Sequence, residues 1–170
     1  MKGNSKHSVM EQIIYQSIGI IHTPLKDPSG VPIQPPAAEG VAGTVEVDER
    51  FADGLKDIGG FSHIILIYHC HLSNEPMLQI KPFLDDTIRG VFATRAPTRP
   101  NSIGLSVVRL VRVEGSILHV ESIDVVDGTP LLDIKPYVPE FDCNDDVSIG
   151  WLSDRVEKLP DVRSDKRFRK

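Results

Sequence analysis

The chain has 170 residues, 40% hydrophobic and 25% charged, with a formal net charge of −5. That length fits one domain with one sizeable core. The acidic balance argues against a broad basic surface for nucleic acid, because phosphate binding works through Lys and Arg displacing counterions. No apolar run approaches the roughly 18 residues of a membrane span, the polar start over residues 1–9 does not read as a signal peptide, and the expectation is a cytoplasmic protein.

The predicted organisation is a loose leader over residues 1–10, one domain over 11–159, and a charged tail over 160–170, with Pro160 ending the last helix. Residues 13–22 are β-branched and read as a first strand. Residues 23–43 are rich in Pro and Gly and form a loop of a length usually kept for function. A second strand covers 44–47. Asp48 then caps a short helix that puts Phe51, Leu55 and Ile58 on one face, with Gly59 closing it.

Residues 62–72 read as a long strand and 89–94 as a short one. Residues 103–113 and 116–125 make a hairpin about Glu114-Gly115, and Asp127-Gly128 turns the chain into a strand over 131–134. A terminal helix is expected from 151 to 159. Six or seven strands without room for βαβ crossovers predict a mainly β, mostly antiparallel single-domain barrel with one or two short peripheral helices. No GxGxxG follows a strand, so a Rossmann nucleotide site is not expected.

Three constellations carry chemistry. The first is the stretch from Ala93 to Ser106, where Pro97 and Pro100 stiffen a loop presenting Arg95 and Arg99, with Asn101 before the next strand. Guanidinium groups there suit a carboxylate or phosphate. The second is the Asp127-Gly128-Thr129-Pro130 turn, followed by Asp133, Lys135 and Tyr137 on one face of an extended chain. A plain hairpin turn with a polar strand edge is an equal reading of it. The third is His63, His69 and His71 on one side of a strand, a spacing that raises a His-based metal-dependent hydrolase as an alternative. The lack of HExxH and of a completing carboxylate favours no metal.

Cys70 and Cys143 lack the spacing of a zinc ribbon or disulfide framework. Cys70 reads as a reduced thiol inside an apolar strand. Arg89, Arg95, Arg99, Arg109 and Arg112 fall in one stretch, which leaves room for a local positive patch.

The segments Gly90 to Arg95, Arg99-Pro-Asn101, Ile103-Gly-Leu-Ser106 and Asp127 to Tyr137 resemble the TsaA-like, or TrmO, proteins. So do Ile18 to Pro24 and Gly60-Phe-Ser-His63, in the same order and at compatible spacing. The resemblance runs from about Ile18 to Tyr137. It implies a β-barrel homodimer that binds S-adenosyl-L-methionine and methylates N6 of threonylcarbamoyl-adenosine at position 37 of the tRNA anticodon loop. It implies cofactor-contacting residues at Pro32, Ile33, Gln34, His71, Leu72, Arg95, Leu105, Asp127, Gly128, Thr129 and Pro130. Arg99, Asn101, Asp133, Lys135 and Tyr137 become the residues to touch substrate, and no catalytic residue is assigned. Ile33 and Leu72 stand where bacterial members carry arginine and glutamine. A regulatory protein that binds the same cofactor without transferase activity is the alternative within the family.

Overall fold

The computed structural model describes residues 11–168. Six strands close a barrel: β1 (Gly19–His22), β2 (Ala42–Val47), β3 (His63–His69), β6 (Ile103–Glu114), β7 (Ile117–Glu121) and β8 (Thr129–Pro136). They run round it in the order β1-β2-β7-β6-β3-β8, and every neighbouring pair is antiparallel. Closure leaves the barrel without an unpaired edge. Two further strands, β4 (Gln79–Ile80) and β5 (Arg89–Gly90), pair with each other outside it.

The barrel closes because its strands alternate. Ile64 and Leu66 of β3, Val108 and Leu110 of β6, and Leu118 and Val120 of β7 are all buried inward. They meet Ile21, Val45, Val47, Ile123, Val125 and Leu131 in one core. Each such side chain stabilises the fold by about 1.5–3 kcal/mol of burial. Gly19 is required where β1 crosses β2, since a Cβ there would lie 2.2 Å from the Glu46 carbonyl oxygen. A register shift between Ile67 and Tyr68 opposite β8 locally breaks the ladder near the end of β3.

The expected fold class stands, and several expected elements are corrected. Residues 11–18 are not strand; β1 begins at Gly19, and Ile13, Ile14 and Tyr15 are exposed. The helix capped by Asp48 is two 3-10 turns, Glu49–Leu55 and Ile58–Gly60, with Gly59 inside the second rather than closing the first. The strand at 89–94 stops after two residues and gives way to a 3-10 turn, Val91–Ala93. The terminal helix is also two 3-10 turns, Gly150–Leu152 and Val156–Asp161, and the second runs through Pro160. A single-turn α1, Pro139–Asp142, was not foreseen. These segments lack the length and cooperative hydrogen bonding that sustain an α-helix.

Residues 160–168 lie against the barrel's long loop. Pro32 bridges Arg163, Gly30 N donates to Ser164 O, and Ser164 N donates to Val31 O. Phe168 packs with Ile80 and Ala96 against Phe83. The expected leader, residues 1–10, falls outside the described residues. Among the described residues no helix is long and apolar enough to cross a membrane.

Candidate functional site

The proline-rich loop, the end of β3, the arginine loop, β6 and the segment after β7 converge on one cleft of about 1390 Å³. From the first come Pro32, Ile33 and Gln34; from the second Tyr68, Cys70, His71 and Leu72; from the third Arg95 and Arg99. Ile103, Leu105 and Arg109 of β6, with Asp124, Val126 and Thr129, complete the barrel's side, and Trp151, Leu152 and Phe168 add a wall from the C-terminal segment.

Arg95 Nη1 donates to Gln34 Oε1 at 2.8 Å, which joins two loops 61 residues apart. Arg99 is spent differently. Its Nη1 reaches the carbonyls of Thr94 at 2.8 Å, Val91 at 3.2 Å and Ala96 at 3.3 Å, folding its own loop, and its guanidinium lies 5.8 Å from the Phe92 ring centroid. Of the five clustered arginines, Arg95, Arg99 and Arg109 reach the cleft. Arg89 is held by Asp85, and Arg112 by Glu114.

The floor of the cleft carries a chain of hydroxyls ending on a carboxyl. Tyr68 OH lies 2.9 Å from Ser106 Oγ, and Ser106 Oγ donates to Asp124 Oδ1 at 2.6 Å. Ser106 is buried and Asp124 partly so. Loss of hydration pushes the Asp124 carboxyl up to about 6, against the pull of the Ser106 hydrogen bond and the Arg95 charge. Tyr68 is raised by the same loss of hydration and stays neutral. Burial pushes the Cys70 thiol up to about 11, so it is no nucleophile at neutral pH. His71 is lowered by burial and then by His69, and its Nδ1 lies 3.4 Å from Thr129 Oγ1.

Other expected site residues are placed elsewhere. Asp127 borders a separate shallow pocket with His22 and Lys26. Its carboxylate accepts from Thr23 N at 3.0 Å and meets Lys26 Nζ at 2.7 Å. Asp127 N and Gly128 N donate to the carbonyls of Leu25 and Ile21, so these turn amides serve the fold rather than a ligand's edge. Thr129 alone of that turn lines the main cleft; Asp127, Gly128 and Pro130 do not. Asp133 pairs with Lys135 at 2.7 Å, Tyr137 OH lies 2.9 Å from Cys143 Sγ, and neither these three nor Asn101 border the cleft.

His63 and His69 occupy opposite ends of β3, roughly 20 Å apart at the rise of a strand. Among the described residues no group of three His, Cys, Asp or Glu side chains is placed to hold a metal ion, so the hydrolase alternative has no support. Sequence reasoning missed Asp124, Ser106 and Tyr68. The available signal was a lone carboxylate between two apolar positions, Ile123 and Val125, just before the Asp-Gly turn.

A closed antiparallel barrel that brings an arginine, a half-buried carboxyl and apolar walls to one cleft offers both charged and apolar contacts to a small molecule. The tRNA-methyltransferase O N-terminal domain family matches residues 20–143, and the chain belongs to that family. A probable S-adenosyl-L-methionine-binding protein of Pyrococcus abyssi is 58% identical over 156 residues, covering 92% of this chain and 85% of that protein. The tRNA (adenine(37)-N6)-methyltransferase of Escherichia coli is 34% identical over 152 residues, covering 84% of this chain and 65% of that enzyme. The crystal structure of TrmO from Pseudomonas aeruginosa superposes with a TM-score of 0.70 at 36% identity, over 83% of this chain. This chain spans 63% of that structure's length.

Proposed function

We propose that this chain binds S-adenosyl-L-methionine in the cleft and transfers its methyl group to N6 of threonylcarbamoyl-adenosine at position 37 of tRNA. The observation that carries the reading is Arg95, fixed by Gln34 at the rim of a cleft with apolar walls. The chemistry fits. A guanidinium suits the carboxylate of the methionine moiety, and Leu72, Leu105 and Val126 offer apolar surface to the adenine ring and to the carbons beside the sulfonium. His71 and Thr129 offer hydrogen bonds.

The cleft exceeds the roughly 300–1,000 Å³ of a pocket for one small ligand, which leaves space for an adenine beside the cofactor. The sulfonium supplies an already electrophilic methyl carbon. The protein's part is to hold the two reactants in line and keep water out. An unstacked anticodon-loop base needs a few groups and little basic area, which suits three cleft arginines on a protein of net charge −5. The reading places the protein in the cytoplasm as a homodimer. Leu78, Ile88 and Phe92, all exposed apolar residues in the segment that frames the arginine loop, are candidates to be covered by the second copy.

The test is methyl transfer from labelled cofactor to tRNA with and without the threonylcarbamoyl group, alongside calorimetry with the cofactor. The reading expects transfer to the modified tRNA only. The Pyrococcus abyssi relative is named for binding alone, which keeps a second reading open. Cofactor binding without transfer to any tRNA marks a binding protein without transferase activity, and absence of binding removes both.

A further inference from the structure

We infer that Asp124 accepts the N6 proton during methyl transfer and that Ser106 positions its carboxylate for that task; this rests on the transferase reading above. The arrangement that points to it is a carboxyl inside the cleft, held by one of its oxygens. Ser106 Oγ donates to Asp124 Oδ1 at 2.6 Å, and Tyr68 OH sits 2.9 Å behind it. Asp124 and Tyr68 line the same cleft as Arg95, whereas Ser106 is fully buried and is a support rather than a contact.

Bond changes balance without a further reactant. The new bond joins N6 to the methyl carbon. The sulfonium C–S bond breaks with its pair remaining on sulfur. The N6–H bond breaks with its pair remaining on nitrogen, and the proton goes to the Asp124 carboxylate.

The groups facing Asp124 suit a base of intermediate strength. Arg95 is the cation whose charge reaches it, which favours the ionised form. Tyr68 and Cys70, at the end of β3, are held neutral by burial and supply no competing anion near neutral pH. Lost hydration raises the carboxyl to about 6. It is therefore ionised at pH 7 yet more basic than an ordinary aspartate, the condition under which general-base catalysis works best. His71 is lowered by burial and faces Thr129 on the other side of the site. Asp165, which also lines the cleft, is lowered instead, foremost by its hydrogen bonds from Arg167.

The test compares the full-length protein with its Asp124→Asn and Ser106→Ala variants. Calorimetry gives cofactor affinity, single-turnover transfer to threonylcarbamoylated tRNA gives rate against pH, and 13C NMR follows the aspartate carboxyls. Wild-type rate is expected to rise with pH through about 6. Asp124→Asn is expected to slow transfer by at least about 100-fold with cofactor affinity kept, and to lose both that limb and one NMR titration. Ser106→Ala removes a hydrogen bond to the ionised form, so limb and titration both move to higher pH.

A full-rate Asp124→Asn variant overturns the inference while the transferase reading stands, and so does a loss of cofactor affinity equal to the loss of rate. A wild-type protein that binds cofactor and transfers nothing overturns the transferase reading, and the inference with it.

Discussion

Arg95 Nη1 donates to Gln34 Oε1 at 2.8 Å, and this one bond locks the arginine loop to the proline-rich loop across the mouth of the cleft. Both partners are polar, neither lies on a barrel strand, and each is otherwise presented to the cleft. The pair therefore fixes a charge where a ligand enters rather than stabilising the core. Arg95→Ala should weaken S-adenosyl-L-methionine binding about tenfold to a hundredfold, the worth of a hydrogen bond to a charged group. Arg112→Ala, an exposed arginine paired with Glu114, should leave it unchanged. Calorimetry on the two variants decides it; equal affinities would remove Arg95 from the site.

Asp127 should behave in the opposite way. Its carboxylate holds Thr23 N and Lys26 Nζ away from the cleft. Asp127→Ala leaves the buried Thr23 amide without its acceptor, at a cost of about 1–3 kcal/mol in stability, with little effect on cofactor affinity. The Lys26 bond, then the Thr23 amide, lowers the carboxyl below its ordinary value. Its contribution is therefore complete above the unfolded value and lost as pH falls through the lower folded one. Urea melts at neutral and acid pH should converge for wild type and variant as pH drops.

These two residues also show what the chain states openly. Barrel strands were legible because they are rich in β-branched residues, as Ile64, Ile65 and Ile67 illustrate, whereas the alternation that buries Ile64 and Leu66 more deeply than Ile65 and Ile67 is visible only in the fold. The arginine loop was legible because two prolines frame it. What stayed hidden depends on direction rather than composition. Asp-Gly announces a turn, but not that Asp127 faces Lys26 and not the cleft. Arg99 and Arg95 look alike in sequence, yet one is consumed by three carbonyls of its own loop. Asp124 acquires its character only when the fold strips it of water and β6 brings Ser106 to it from 18 residues away. The 3-10 turns were read as helix and strand because apolar spacing over so few residues does not separate these states.

Gly104 stands against the Tyr68 ring, and a Cβ there would lie 2.1 Å from Tyr68 Cε2. Gly104→Ala should displace the ring and with it the hydroxyl chain to Ser106. The expected loss is about 1–3 kcal/mol of stability, as for overpacking elsewhere. Tyr68 fluorescence or NMR shifts should move with it. A variant as stable as wild type with an unmoved Tyr68 would contradict this contact.

Thr98 is fully buried and its Oγ1 has no hydrogen-bond partner among the described residues. Thr98→Val keeps the shape and removes a hydroxyl that folding strips of water. It should stabilise the protein by about 1 kcal/mol, read as a raised denaturation midpoint with unchanged denaturant slope. Destabilisation would mean that the hydroxyl is satisfied in solution.

The C-terminal segment lies outside the residues matched by the family, yet it walls the cleft with Trp151, Leu152 and Phe168. Besides the Ser164 bonds and the Phe168 packing, Asp85, between β4 and β5, ties it down. Its carboxylate accepts from Arg89 Nη2 at 2.6 Å and from Arg155 Nη2 at 3.2 Å. Asp85→Asn should free the segment to proteolysis and faster hydrogen exchange while the barrel's own amides stay protected. Cofactor affinity should fall in step, because the Trp151 and Leu152 wall of the cleft sits on the segment that this anchor holds. The Arg89 hydrogen bond, foremost, holds the Asp85 carboxyl down at about 2. The anchor is therefore whole above the unfolded carboxylate value of about 3.9 and is lost as pH falls toward the folded one. Below that range wild type and Asp85→Asn should exchange alike, and a segment that stays protected in the variant at neutral pH would assign its docking to Phe168 and the Ser164 bonds instead.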